Sequence, residues 1–223
     1  MTDFSKKLRA KGGHIWQRTL AHPFVRGIGD GSLPLEKFRY YMAQDYLFLI
    51  EYSRVLALAS ARAHSLEEMA WFARLLDSTL NVEMGLHRGF AGMFGITERE
   101  LEATGPSPST HAYTRHLLHA CYTGSMGEAA AALLPCQWGY CEIGQALARK
   151  GEPSQQPLYG QWIRMYASEE FAALARQLRQ MVDRLGDEAS PSEQERMAQA
   201  FLTSSRYEYQ FWEAAWNLEN WPV

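Results

Sequence analysis

The chain has 223 residues, of which 47% are hydrophobic and 13% aromatic. This composition supplies a large apolar core and excludes intrinsic disorder. The 22 Lys and Arg residues nearly balance the 25 Asp and Glu residues, giving a net charge of −3. Because no basic run or stripe stands out, nothing in the charge pattern points to binding of nucleic acid or of an anionic membrane surface.

The apolar runs and the cysteines indicate in which cellular compartment the protein lies. Charged residues interrupt every apolar run before it reaches the roughly 20 residues that a membrane span requires. The segment 1–13 is polar and lacks the apolar core of a signal peptide. The three cysteines, Cys121, Cys136 and Cys141, form an odd and sparse set that fits free thiols in a reducing cytoplasm. We therefore predict a cytoplasmic protein with a single domain over residues 1–223.

Almost the whole chain has the apolar periodicity of helices. Pro34 marks one helix start, and Ser65 followed by Glu68 forms a capping box. Ser109 or Thr110 is expected to cap a later helix. Without strand alternation or repeats, the pattern predicts an all-α bundle of about seven to nine helices. The predicted helices span 33–63, 65–94, 111–124, 126–151, 157–168, 168–186 and 190–219.

The segment LLPCQWGYCEIGQAL (133–147) places a proline and two cysteines inside an apolar helix. Pro135 lacks an amide hydrogen and clashes one turn back, so it should kink this helix or begin a new one. Cys136 would then lie in the first turn after the break, where backbone amides favour a thiolate. Tyr140 shares the face of Cys136, whereas Cys141 lies about 140° around the helix. The alternative is that both thiols are small buried hydrophobic groups.

Two carboxylates lie in aromatic surroundings. In YYMAQDYLFLIEY (40–52), Asp45 shares a helical face with aromatic residues and could accept hydrogen bonds from a stacked amino-heterocycle. Glu208 lies one turn from Phe211, and aromatic walls that disfavour its charged form would make it a candidate general acid. The alternatives are a surface position for either residue, a bond from Asp45 to a core Tyr or Arg, and an arginine pair for Glu208.

Glu83 and His87 form an E-x-x-x-H pair on one helix face. Metal-binding carboxylate bundles use Glu and His in related ways, typically at i,i+3, and a salt bridge or a solvated pair is the alternative. A metal-dependent oxidase that uses Glu51, Glu83, His87 and Glu142 or similar groups is therefore one rival function. The sequence has no phosphate-binding glycine loop, no G-x-S-x-G turn and no H-E-x-x-H motif.

Three segments, in this order, resemble the TenA family, also called thiaminase II or aminopyrimidine aminohydrolase. They are HPFVRGIGDGSLPLEKFRYYMAQDYLFL (22–49), LLPCQWGYCEIG (133–144) and SSRYEYQFWEAAW (204–216). The resemblance implies the helical bundle of heme oxygenase, a homotetramer, and a reaction that needs no metal or organic cofactor. Cys136 matches the catalytic position of the family's cysteine-containing subtype.

The resemblance also implies site residues and a reaction. Glu208 would protonate a ring nitrogen, and Asp45 would hold the amino group and the adjacent nitrogen of a pyrimidine. Phe48 stands where relatives often carry tyrosine, so stacking is kept and a hydroxyl is lost. The implied reaction converts 4-amino-5-aminomethyl-2-methylpyrimidine to the hydroxymethyl pyrimidine in thiamin salvage, and thiamin could be cleaved similarly. A non-catalytic pyrimidine-binding or regulatory protein is a second rival. The other implied pocket residues are Phe48, Tyr113, Tyr140, Tyr166 and Phe211.

Overall fold

The computed structural model describes residues 3–93 and 96–223, without the side chains of residues 98, 100 and 102. In this part of the chain all regular structure is helical, which confirms the all-α prediction. A π-helical segment, Thr79–Glu83, joins α5 to α6. The helices are α1 Phe4–Lys11, α2 Gly13–Leu20, α3 Pro23–Asp30, α4 Leu35–Arg62, α5 Leu66–Ser78, α6 Met84–Met93, α7 Glu98–Ala103, α8 Pro108–Thr123, α9 Met126–Ala148, α10 Pro157–Ala167, α11 Glu169–Glu188 and α12 Pro191–Asn217.

The predicted number of seven to nine helices is too low for the described residues, which form twelve α-helices. The helices missed are α1, α2 and α3, with eight residues each, and the six-residue α7. Two turns contain too few apolar repeats for periodicity to identify a helix. The last residue of the predicted helix 65–94 lies outside the described residues. Within the described ranges, no helix combines the length and apolar character that a bilayer span requires.

The chain forms two compact units. The first unit comprises residues 1–34 and 127–213, and the second comprises residues 35–126 and 214–223. The core of the first unit contains buried aromatic residues from α3, α10 and α12, including Phe24, Trp162 and Trp212. In the second unit, α4 packs against α5, α6 and α8. The single domain over residues 1–223 stays a prediction.

Side-chain caps determine where α5 and α8 begin. Ser65 Oγ accepts a hydrogen bond from the Glu68 amide at 3.2 Å, which confirms Ser65 as the cap, and the Glu68 carboxylate accepts from the amide of His64 at 3.0 Å. At α8 the prediction of Ser109 or Thr110 is wrong. The cap is Ser107, whose Oγ accepts from the Thr110 amide at 3.2 Å. Pro108 follows it at the first helical position, where a fixed φ and a missing amide hydrogen favour helix initiation.

Helix α9 continues through Pro135 as one element, so of the two predicted alternatives the new helix is wrong and the kink stays a prediction. The segment 129–134 before the proline is completely buried, and Gln137, Trp138 and Tyr140 after it are buried too, so α9 is packed on both sides of Pro135. Cys136 therefore lies more than two turns from either end of α9. The helix-terminal amides that were expected to favour a thiolate do not reach it.

Candidate functional site

In the first unit, α9 carries Cys136 and Tyr140 on one face, and aromatic rings pack around Tyr140. The ring of Tyr140 lies 4.8 Å from that of Tyr166 and 5.3 Å from that of Trp212, between centroids. Trp162 completes the group at 4.6 Å from Tyr166. The structure thus brings Tyr140 and Tyr166 together, and these rings lie one turn from the candidate nucleophile.

A close approach between α9 and α10 produces this arrangement. A Cβ atom on Gly144 would lie 2.5 Å from the carbonyl carbon of Tyr166 and 2.7 Å from the Ala167 nitrogen. Glycine is therefore required at this position for the two backbones to pack together. The structural importance of Gly144 was not predicted, although an isolated glycine in an apolar helix pattern is a known signal for close packing.

The three thiols lie in different environments. Cys141 is buried and packs against Ala172 and Ala175, and burial followed by the charge of Glu142 raises the pKa of its thiol. Cys121 is fully buried, and burial raises the pKa of its thiol as well. Both remain protonated and poorly nucleophilic, as the alternative of a small buried hydrophobic group predicts for Cys141. Cys136 is half-buried, unlike the two other thiols.

Glu208 lies on α12 with 8% of its surface exposed, so the surface alternative for this residue is wrong. It lines a small cavity of about 20 Å³ together with Pro135 and Gly139. Both residues belong to α9 and lie within three positions of Cys136 along the chain. The cavity has room for one water molecule. Phe211, one turn further along α12, is also buried.

In the second unit, Asp45 is buried inside the aromatic stripe of α4. Its Oδ2 atom accepts a hydrogen bond from Tyr41 Oη at 3.0 Å and lies 2.6 Å from His87 Nε2. The surface alternative for Asp45 is therefore wrong, and the alternative of a bond to a core tyrosine is confirmed. Phe48 lies one turn away, with its ring centroid 5.0 Å from that of Tyr113. These three candidate residues belong to one unit and line one aromatic region.

The role of His87 differs from the sequence prediction. The ring Nδ1 atom contacts the backbone carbonyl of Glu83 at 2.8 Å instead of its carboxylate, and the opposite nitrogen contacts Asp45. The E-x-x-x-H spacing identified the residue but not its partner, which is 42 positions away. Burial alone lowers the pKa of His87, but the hydrogen bond and charge of Asp45, with the charge of Glu83, outweigh it and raise the pKa.

Two of the three carboxylates of the rival metal site pair with arginines. Glu51 pairs with Arg54 and Arg115. Glu142 pairs with Arg9, whose Nη2 lies 3.0 Å from Glu142 Oε2. Within residues 3–93 and 96–223, no three His, Cys, Asp or Glu side chains converge as metal ligands would. No observation in this part of the chain therefore favours the oxidase function.

Comparisons with known proteins identify first a fold class and then a family. A domain of unknown function with a heme oxygenase-like fold, from Shewanella denitrificans OS217, matches with a TM-score of 0.76 at 14% identity, covering 96% of this chain and 92% of that one. The TenA homologue of P. horikoshii OT3 matches with a TM-score of 0.89 at 32% identity, covering 96% and 98%. This protein thus has the heme oxygenase-like helical fold, as predicted.

Residues 9–218 match the model of the TENA/THI-4/PQQC family, and the chain belongs to that family. It is 46% identical over 220 residues to the aminopyrimidine aminohydrolase of Halalkalibacterium halodurans, covering 98% of this chain and 97% of that protein. The resemblance drawn from the three sequence segments is confirmed.

Proposed function

We propose that this protein is an aminopyrimidine aminohydrolase, or thiaminase II, that hydrolyses C–N bonds in thiamin metabolism. The observation that carries this proposal is that the chain, which has the half-buried thiol of Cys136 and the buried carboxyl of Glu208, is nearly half identical to an enzyme of that name. The substrate we propose is 4-amino-5-aminomethyl-2-methylpyrimidine, which is salvaged as the hydroxymethyl pyrimidine. Thiamin is a second candidate, with its thiazole as the leaving group.

The chemistry requires an acid and a nucleophile, because attack on a neutral pyrimidine destroys its aromaticity. Glu208 protonates a ring nitrogen and makes the ring electrophilic. The sulfur of Cys136 then bonds to a neighbouring ring carbon. The electron-rich adduct expels ammonia from the exocyclic methylene carbon. Water adds at that carbon, the C–S bond breaks, and the aromatic ring and the free thiol return.

The remaining candidate residues orient the ring. Asp45 accepts a hydrogen bond from the amino group of the pyrimidine, and Phe48 and Tyr113 supply apolar faces that hold the ring flat. Tyr140 and Tyr166 contribute hydroxyl groups, and Phe211 contributes a further aromatic wall. This chemistry needs no metal or organic cofactor. We further propose a homotetramer that acts on its small-molecule substrate in the cytoplasm.

The test compares two cysteine variants, Cys136→Ser and Cys141→Ser, by ammonia release from a panel of aminopyrimidines and thiamin. Cys136→Ser should keep the helical circular dichroism spectrum and lose at least about 10³-fold in kcat, because a serine hydroxyl is a far weaker nucleophile. Cys141→Ser is the matched control on the same helix and should retain activity. Wild-type turnover in Cys136→Ser would remove the nucleophile assignment.

A further inference from the structure

His22 is a buried histidine at the junction of α2 and α3, in the first unit, and the proposed reaction does not use it. Only 3% of the residue is exposed. Its Nδ1 atom accepts a hydrogen bond from the Phe24 amide at 3.1 Å, so the imidazole is the side-chain cap of α3. Pro23 occupies the first helical position and has no amide hydrogen of its own. The cap of this helix is therefore one nitrogen of a titratable ring.

This hydrogen bond defines the protonation state of His22. A backbone amide only donates hydrogen bonds, so Nδ1 must offer a lone pair and carry no hydrogen. The ring is therefore neutral, with its hydrogen on Nε2. An imidazolium carries a hydrogen on both nitrogens and would direct one of them at the hydrogen of the Phe24 amide. Protonation of the ring and capping of α3 thus exclude each other, whereas the serine caps of α5 and α8 contain no group that titrates near neutral pH.

Polar groups of α2 and α12 lie near the opposite nitrogen of the ring. Nε2 of His22 lies 3.7 Å from Oε1 of Glu213, which accepts a hydrogen bond from Tyr209 Oη at 2.7 Å. The Tyr209 hydroxyl in turn accepts from Arg18 Nη2 at 2.9 Å. Burial lowers the pKa of His22 below its ordinary value of 6.5, the charge of Glu213 opposes this change, and the charge of Arg18 adds to it. Among the described residues, neither α3 itself nor α10, which also packs against it, adds a charge that acts on the ring.

The capped start of α3 belongs to the core of the first unit. Phe24, whose amide His22 holds, is completely buried. Its ring lies 5.4 Å from that of Trp212, and Trp212 lies 5.3 Å from Tyr140, between centroids. The cap therefore fixes the first residue in a row of packed rings that ends at the aromatic group of the candidate site.

We propose that His22 is an acid-sensitive switch at the start of α3: the neutral ring caps the helix, and protonation below neutral pH releases the Phe24 amide. The imidazolium, a donor at both nitrogens, is then attracted to the carboxylate of Glu213. Because the unfolded chain takes up this proton at the ordinary pKa of 6.5 and the folded chain only at a lower pH, the free energy of unfolding falls as pH decreases from 6.5 through the lowered pKa. The switch involves no substrate, so it is independent of the proposed reaction.

The experiment compares the wild type with His22→Asn and with His14→Asn, a control at an exposed histidine of α2. Asparagine is a favoured helix cap that does not titrate. Hydrogen exchange of the Phe24 amide, corrected for its intrinsic rate, and Tm are measured from about pH 8 to about pH 5, the interval in which histidine changes charge. In the wild type and in His14→Asn, protection of this amide should fall by about 5-fold toward acid pH, the factor that corresponds to one lost helix cap. In His22→Asn this fall should be absent, and the Tm difference from the wild type should move in favour of the variant as pH decreases.

Two charge variants keep the test decisive if His22→Asn does not fold. Glu213→Gln removes the charge that favours the imidazolium, so the loss of protection should begin at a lower pH than in the wild type. Arg18→Gln removes a charge that disfavours the imidazolium, so the loss should begin at a higher pH. The proposal is overturned if His22→Asn loses protection with falling pH as the wild type does, if the two charge variants shift the loss in the same direction, or if nitrogen NMR of the histidine rings finds Nδ1 of His22 protonated at neutral pH. If the protein releases no ammonia from any aminopyrimidine, the proposed hydrolysis fails while the switch stands.

Discussion

Replacing Gly144 with alanine would place a methyl group inside the contact between α9 and α10. The new Cβ would lie 2.5 Å from the carbonyl carbon of Tyr166, whereas ordinary contacts begin at 3.4 Å. The obstructing atoms are backbone atoms, which cannot move aside as a flexible side chain can. The two helices must therefore separate by about 1 Å to restore van der Waals contact.

The expected change in the free energy of unfolding follows from two opposing effects. Overpacking of this kind costs about 1–3 kcal/mol, and the higher helix propensity of alanine returns about 0.5–1 kcal/mol. We expect Gly144→Ala to lower the free energy of unfolding by about 1–2 kcal/mol, and a chain of this size loses about 2–4 °C in Tm for each kcal/mol. Because Tyr140 and Tyr166 face each other across this contact, a displacement of about 1 Å should also reduce kcat/KM by up to about 10²-fold.

The assay combines thermal unfolding with ammonia release, and Gly139→Ala is the matched stability control. A Cβ at Gly139, on the same helix, would meet nothing within 4 Å. That variant should be as stable as the wild type or slightly more stable. If Gly144→Ala were also neutral in stability and fully active, the close packing of α9 on α10 would not be what positions the two tyrosines.

Two further predictions concern stability. The pKa of His87 is raised from its ordinary value of 6.5, so its pairing with Asp45 stabilises the fold fully below that value and loses this effect as pH rises through the raised pKa. The Tm difference between wild type and His87→Gln should therefore shrink between neutral and alkaline pH. A Tm difference that stays constant with pH would contradict this prediction. Ser107→Ala removes the cap of α8 and should cost about 1 kcal/mol in urea unfolding. An unchanged urea midpoint would show that this cap is not used.

The sequence by itself determined the helical class, most of the long helices and the faces they present. Helical periodicity is a local property, and so are the capping box at Ser65 and the shared face of Cys136 and Tyr140. The family resemblance named the remaining candidates, because its three segments span nearly the whole chain. The local rule that a proline begins a new helix failed at Pro135. There the buried packing of α9 outweighs the cost of the missing hydrogen bond.

Only the tertiary structure decided which side chains meet and which are enclosed. Asp45 and His87 are 42 residues apart, and no spacing rule links them until α4 and α6 pack together. Burial likewise distinguishes Cys136 from the two other thiols, although the three residues are of the same type in the sequence. The physical reason is that burial, charge pairing and close backbone contact depend on distances between segments remote along the chain, whereas periodicity depends only on neighbours.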